Sequence, residues 1–192
     1  MTAFRKTKLA LTPKAAPFAI RAEKASDVLA REALLDACFG ENRHMRTCQR
    51  LRDGRAPAEG LAFTAMADGH LVGTLRLWHV SAGGIPALML GPLAVECTSR
   101  KLGAGTALMD HALAAATARG HRAVILLGDA PYYARFGFSP EKTAELSLPG
   151  PFERDRLLGL ELQAGALEGA SGMIVATGLS LPVKRAPSAR AA

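Results

Sequence analysis

The sequence predicts one α/β or α+β domain, on three observations. Strand-like and helix-like segments alternate quickly from Phe18 onward; an Asp68-Gly69 dipeptide joins two strand-like runs; and an apolar strand feeds through a Gly-x-Gly loop into an amphipathic helix. At 192 residues the chain has the length of a single domain with tails and enough residues for a buried core. We assign 17–183 to that domain, 1–16 to a basic N-terminal tail and 184–192 to a basic C-terminal tail, both read as flexible.

Taken in order, Phe18–Arg21 reads as a short first strand. Ser26 or Asp27 then caps a helix whose apolar positions Val28, Leu35 and Cys38/Phe39 share one face and which Gly40 stops. A second short helix is expected around Arg46–Arg52, closed by Asp53-Gly54. Leu61–Ala67 and His70–Trp78 form a hairpin, because Asp-Gly accepts the positive φ of a tight turn. A turn at Ala82-Gly83-Gly84 leads into Ile85–Val95, apolar throughout but interrupted by Gly91-Pro92. Proline cannot donate to a ladder, so the strand must be an edge there, or bulged, or splayed.

A polar loop, Glu96–Lys101, precedes a helix from about Gly103 to Arg119 with Leu108, Met109, Ala112, Leu113 and Ala116 on one stripe and Gly120 as terminator. Ala123–Leu127 is a buried strand by composition. Pro131 opens a short helix to about Phe136, ended by Gly137. Further strands fall within Phe138–Leu148 and Leu157–Leu167, with a last one near Met173–Leu179.

Composition excludes several classes of function. No apolar run approaches the roughly 18–20 residues of a membrane span, and the basic opening is interrupted by Pro13 and Lys14 too early for a secretory signal. Cys38, Cys48 and Cys97 are an odd set without a CxxC pair, which argues against a disulfide framework or a zinc site, so no metal is expected and a reducing cytoplasm fits. The net charge of +7 resides in Arg5, Lys6, Lys8, Lys14, Lys184, Arg185 and Arg190, leaving the body balanced. A neutral body with basic ends, and few scattered aromatics, disfavours a nucleic-acid reader, whose basic patch belongs on the fold.

Two segments concentrate chemistry. In Leu93-Ala94-Val95-Glu96-Cys97-Thr98-Ser99-Arg100-Lys101-Leu102-Gly103-Ala104-Gly105-Thr106 an apolar strand ends at a helix start. First-turn amides lack intrahelical partners and the helix dipole adds positive charge, so the junction suits a phosphate. Glycines there let the backbone approach a ligand, or merely permit a tight strand-to-helix turn. The full dinucleotide pattern fails at Leu108, and no GxxxxGK[ST] exists. In the second segment both tyrosines of the chain, Tyr132 and Tyr133, stand side by side before Phe136-Gly137-Phe138. Helix neighbours point about 100° apart, so one ring is expected in the core and the other phenol free to donate a proton to a thiolate or alkoxide.

Arg100-x-x-Gly103-x-Gly105 after Leu93-Ala94-Val95, followed by Tyr133-x-x-x-Gly137-Phe138, resembles the GCN5-related N-acetyltransferases from roughly Phe18 to Leu167. The resemblance implies a mixed, partly splayed sheet flanked by helices, with acetyl-CoA in the V between the strands ending at Val95 and near Leu127. It places the pyrophosphate cradle on the amides of Lys101, Leu102, Gly103, Ala104, Gly105 and Thr106, with Arg100 opening the motif. Leu93, Ala94 and Val95 would hydrogen-bond the pantetheine arm. Tyr133 matches the general acid and Tyr132 takes a packing role. The implied chemistry is direct attack of a neutral amine on the thioester, without a covalent enzyme intermediate. The acceptor is a small-molecule or peptide amine, and edge strands near the C-terminus leave room for a homodimer by fold analogy.

The chain departs from the family pattern in two places. The segment Gly128-Asp129-Ala130-Pro131 lacks the Asn many members carry before the tyrosine, and Ala123–Leu127 holds no glutamate base. Asp129, Glu96, His79 and His44 are the remaining candidates for a base, while Cys97 has no histidine relay around it. Arg43, Arg46, Arg50, Arg52 and Arg55 suit either an anionic acceptor or the exposed face of a helix, the latter being favoured. A non-catalytic acyl-CoA-binding sensor or scaffold is the alternative reading.

Overall fold

Residues 17–182 are described by the computed structural model; the two basic tails lie outside the described residues. In chain order the elements are β1 (Ala19–Ala22), α1 (Val28–Phe39), β2 (Ala62–Ala67), β3 (His70–Ala82), β4 (Ile85–Val95), α2 (Ala104–Ala118), β5 (Ala123–Leu127), α3 (Ala130–Tyr133), β6 (Leu146–Ser147), β7 (Leu157–Glu161) and β8 (Gly172–Ala176). Asp68 and Gly69 hold φ of 48° and 80°, the paired positive values that let a two-residue turn follow the twist of β2 and β3. The sheet runs β1-β2-β3-β4-β5-β7, antiparallel except for the parallel β4/β5 pair. β3 outruns β2, and its far end, Val80–Ala82, pairs instead with β8, which in turn carries β6.

The Gly91-Pro92 interruption does what its chemistry requires. Leu75 opposes Leu93 and Leu77 opposes Leu90, so Gly91 and Pro92 together face Arg76 in a bulge. The Trp78 indole N–H donates to the Gly91 carbonyl at 2.6 Å, fixing it. On the other side, β4 and β5 are in register only at Leu88 with Val124 and Met89 with Ile125, and beyond those pairs they diverge.

The central strands are covered on both faces, which explains why they read as unbroken apolar runs. α2 lays Leu108, Met109, Ala112 and Ala116 on Phe63, Leu75, Leu77 and Leu90. The opposite face holds Trp78, Val80, Met89 and Ile125 against Leu146, Leu157, Leu167 and Ile174. α1 packs over the end of β4, where Leu34 and Leu35 meet Ala94.

Several local expectations need correction. Val28 is exposed; the inward stripe of α1 is Arg31, Leu34, Leu35 and Cys38, a helical i, i+3, i+4, i+7 set that contains a charge. Arg31 is admitted because Glu23, at the end of β1, pairs with it and with Arg76 of β3 (Nε to carboxylate 2.7 Å). Asp27 stands at the N-cap of α1, yet its carboxylate reaches back to the Lys24 N–H at 2.7 Å and forms a two-point pair with Arg21. Arg21 thereby holds that carboxyl down at about 2. In place of one helix at Arg46–Arg52 there are two 3₁₀ turns, Glu41–Met45 and Thr47–Leu51. The loop before α2 is likewise a 3₁₀ turn, Cys97–Leu102, and α3 continues as another, Ala134–Phe136.

The Glu23 side chain is only 7% exposed, between guanidinium groups that are themselves largely buried. Removing one partner of a buried pair strands the other, so Glu23→Ala is expected to destabilise the protein by about 3 kcal/mol. A urea midpoint lowered at unchanged slope is the expected result; an unmoved midpoint would mean the cluster contributes no net stability.

Candidate active site

The divergence of β4 and β5 opens a cleft. One wall is Leu90–Leu93 of β4, the other Leu127–Asp129 following β5, with Tyr132 and Tyr133 of α3 beside them; the cavity they enclose is about 790 Å³. Arg43, Arg46 and Arg52, from the 3₁₀ turns after α1, close it on one side, and Phe152 and Arg156 on another. Toward the start of α2 lies a second cavity of about 300 Å³, lined by Cys38, Val95, Arg100 and Gly105. Phe39, Leu93 and Tyr132 border both, so the two form one continuous groove.

At the helix end of this groove Gly103 takes a left-handed conformation (φ 84°), turning the chain from the 3₁₀ segment into α2. The intrahelical ladder begins with the Ala107 N–H on the Gly103 carbonyl at 3.0 Å. The amides of Ala104, Gly105 and Thr106 therefore precede the ladder and have no helical acceptor. Lys101 and Leu102 lie inside the 3₁₀ turn, where the tighter pattern takes up amides, so the amides ahead of the ladder run from Gly103 to Thr106. Arg100 is exposed, and its Nε donates to the Val95 carbonyl at 3.2 Å, fastening the loop to the strand end. Cys38 Sγ donates to the same carbonyl at 3.6 Å.

The three strand residues divide by direction. The Glu96 N–H donates to the Val72 carbonyl at 2.9 Å, so Glu96 and Ala94 aim their backbone groups at β3. Leu93 and Val95 alternate with them and face the cleft. Ala94 is thus corrected as a hydrogen-bonding residue for a bound arm, because the sheet already uses its polar groups. Leu93 offers the first N–H after Pro92, which has none.

The tyrosines differ from expectation in the same way. Tyr133, not Tyr132, packs on the main core, edge-on to Phe138 with centroids 6.0 Å apart. It fits only because position 128 is glycine: a Cβ there would stand 2.3 Å from its ring. Burial pushes its phenol up to about 12, so it keeps its proton. The Tyr132 hydroxyl reaches α2, 3.0 Å from where a Cβ on Gly105 would be. Burial raises this phenol too, and Thr106 and Arg135 act against the rise.

Of the four candidate bases only Asp129 lines the main cavity, where it is exposed. Glu96 accepts from Thr98 at the loop surface, His44 is exposed outside the lining, and His79 lies beside the tilted His121 ring (5.4 Å between centroids) at a separate cavity. Cys97 is exposed on the loop, while Cys48 lines the cleft as a thiol whose pKa burial raises.

The arginine segment is not one exposed helix face. Arg50 and Arg55 donate to the Pro149 and Gly178 carbonyls at 2.6 and 2.7 Å, whereas Arg43, Arg46 and Arg52 turn to the cleft. Their density along the sequence was the available signal; a 3₁₀ path rather than an α-helical one separates them. Arg156 and Phe152 carried no such signal, since they reach the cleft only through the C-terminal cover.

The model of the acetyltransferase (GNAT) family matches residues 29–138. An uncharacterized N-acetyltransferase of Escherichia coli strain K12, YhbS, is 28% identical over 157 residues, covering 81% of this chain and 93% of that protein. The crystal structure of E. coli YhbS in complex with CoA superimposes with a TM-score of 0.74 at 27% identity, covering 88% of this chain and 94% of that one. A GNAT-family acetyltransferase from Brucella melitensis in complex with acetyl-CoA shares the fold, with a TM-score of 0.56 at 24% identity over 77% of this chain and 97% of that one.

Proposed function

The chain belongs to the acetyltransferase (GNAT) family, and from that premise we propose that it transfers the acetyl group of acetyl-CoA to an amine by direct attack, with Tyr133 as general acid. The observation that carries the reading is the continuity of the groove from the α2 amides, past Leu93, to Tyr133. It fits the cosubstrate on its own terms: Gly105 borders the groove with no side chain, beside amides that precede the helical ladder. The likeness to YhbS, solved with CoA, supports the same assignment.

The Ala104, Gly105 and Thr106 amides at the dipole-positive end of α2 hold the pyrophosphate. Leu93 directs its N–H toward the thioester carbonyl, where a fixed donor gains strength as negative charge develops. Acetyl-CoA supplies an activated acyl group and a thiolate leaving group. A C–N bond forms as the C–S bond breaks; Tyr133 gives its proton to the departing sulfur, and the amine proton leaves to solvent by way of Asp129, an exposed carboxylate of the cleft. The free cysteines Cys38, Cys48 and Cys97 support a reducing, cytoplasmic setting. Calorimetric titration with acetyl-CoA tests the proposal without an acceptor: one-to-one binding is expected in the micromolar range, about −8 kcal/mol, and a folded sample that does not bind would sink it.

A further inference from the structure

The main cavity is lined by four arginines, Arg43, Arg46, Arg52 and Arg156, against two carboxylates, Asp129 and Glu153. Arg43 is neutralised from outside the cleft by Glu32 and Asp36, at 2.5 and 2.6 Å. Arg46 is exposed, over the Phe39 ring at 5.0 Å from its centroid, and donates to a carbonyl at 3.4 Å; Arg52 is the one withdrawn from water. Arg52 is half-buried, its Nε on the Cys48 carbonyl at 3.2 Å and a terminal nitrogen 3.9 Å from where a Cβ on Gly91 would stand. Among the described residues no carboxylate lies within 4.0 Å of Arg46 or Arg52. Guanidinium stays charged at any working pH, and a charge taken out of water without a counter-ion is costly. Burial lowers the Arg52 pKa against the opposing charges of Cys48 and the adjacent Asp53, and Arg43 and Arg46 add to the lowering.

Position separates Arg52 from the phosphate cradle. Gly91 is four residues before Val95 along β4, about 13 Å at roughly 3.3 Å per residue. Arg52 therefore sits at the far end of the groove, past Leu93 and Tyr133, where an acceptor must enter. Resting on the acetyl-transfer reading, we propose that the acceptor is an amine that also carries an oxyanion, a carboxylate or a phosphate, gripped by Arg52 with Arg46. A planar two-point donor suits either oxyanion, and the same charges repel a polyamine.

The test uses matched acceptors with acetyl-CoA, reading release of free thiol: amino acids against their methyl esters, aminoalkyl phosphates against the corresponding amino alcohols, and spermidine. The anionic member of a pair is expected to react with kcat/KM at least about 10-fold above its uncharged twin; which pair responds identifies carboxylate or phosphate. Arg52→Gln is expected to lower kcat/KM for the anionic amine about 10- to 100-fold, mainly through KM, the size of a lost charge-assisted hydrogen bond. The affinity for acetyl-CoA should stay as it was, which also reports that the variant is folded. Arg52→Lys, which keeps charge and bulk but not the fork, is expected to fall between the two. Preference for the uncharged twins or for spermidine overturns the proposal. So does an equal loss of acetyl-CoA affinity in both Arg52 variants, which would assign the guanidinium to the cosubstrate. A wild-type protein that binds no acetyl-CoA removes the acetyl-transfer reading first, and this inference with it.

Discussion

Tyr133→Phe is expected to lower kcat about 10²- to 10⁴-fold, the usual contribution of a positioned acid, while the affinity for acetyl-CoA changes little. The phenyl ring fills the same space against Phe138 and Gly128, so packing is kept and only the proton donor is lost. The pH dependence separates this role from others. Burial raises the phenol to about 12, so its acid form is fully present at neutral and mildly alkaline pH and is lost only as pH climbs toward that value. The rising limb of kcat/KM then belongs to the acceptor amine, ordinarily near 10, and the variant should trace the same limb at a lower level. An alkaline fall near pH 8 in the wild type, or a variant as fast as its parent, would remove Tyr133 from the reaction. Should the wild type bind acetyl-CoA yet turn over no acceptor amine, the acyl-CoA sensor becomes the better description.

The second large effect is expected at the other end of the groove. Gly105→Leu should weaken acetyl-CoA binding at least about 100-fold, or about 2.7 kcal/mol, because its Cβ would stand 3.0 Å from the Tyr132 hydroxyl and 3.6 Å from Val95, with the rest of the side chain across the amides. Losing two charge-assisted hydrogen bonds is enough to account for that factor. The control is the melting temperature, measured alongside, because leucine is the better helix former while its Cβ makes Tyr132 give way. Weakened binding in a protein of undiminished stability locates the cradle; unchanged affinity places it elsewhere.

What the sequence made legible was local. Asp68-Gly69 predicts its hairpin because the two positive φ values are a property of two residues, and Gly91-Pro92 predicts the opening of β4 because a missing N–H is a property of one. The inward face of α1 was misread because Arg31 is buried by partners from β1 and β3, and no window on the helix contains them. The cleft shows the same divide. The α2 end follows from a contiguous motif, but that Ala94 faces the sheet and Leu93 the cleft depends on the register with β3. The exchange of places between Tyr132 and Tyr133 depends on Gly128 and on how α3 leaves β5. Arg52 and Arg46 could be counted in the sequence; that they lack carboxylate partners is a tertiary fact.

The pairing of β8 with β3 has a consequence for assembly. β2 to β4 follow one another through two-residue turns, so they zip at little loop-closure cost, whereas Val80 must find Ala176 from the far end of the described chain. That contact closes late, and until it does the end of β3 is an open ladder edge, the kind that recruits strands from other molecules. A chain emerging from the ribosome is therefore expected to form nearly all of the groove while that edge is still open, and its solubility during synthesis should turn on the arrival of Gly172–Ala176 rather than on the groove itself.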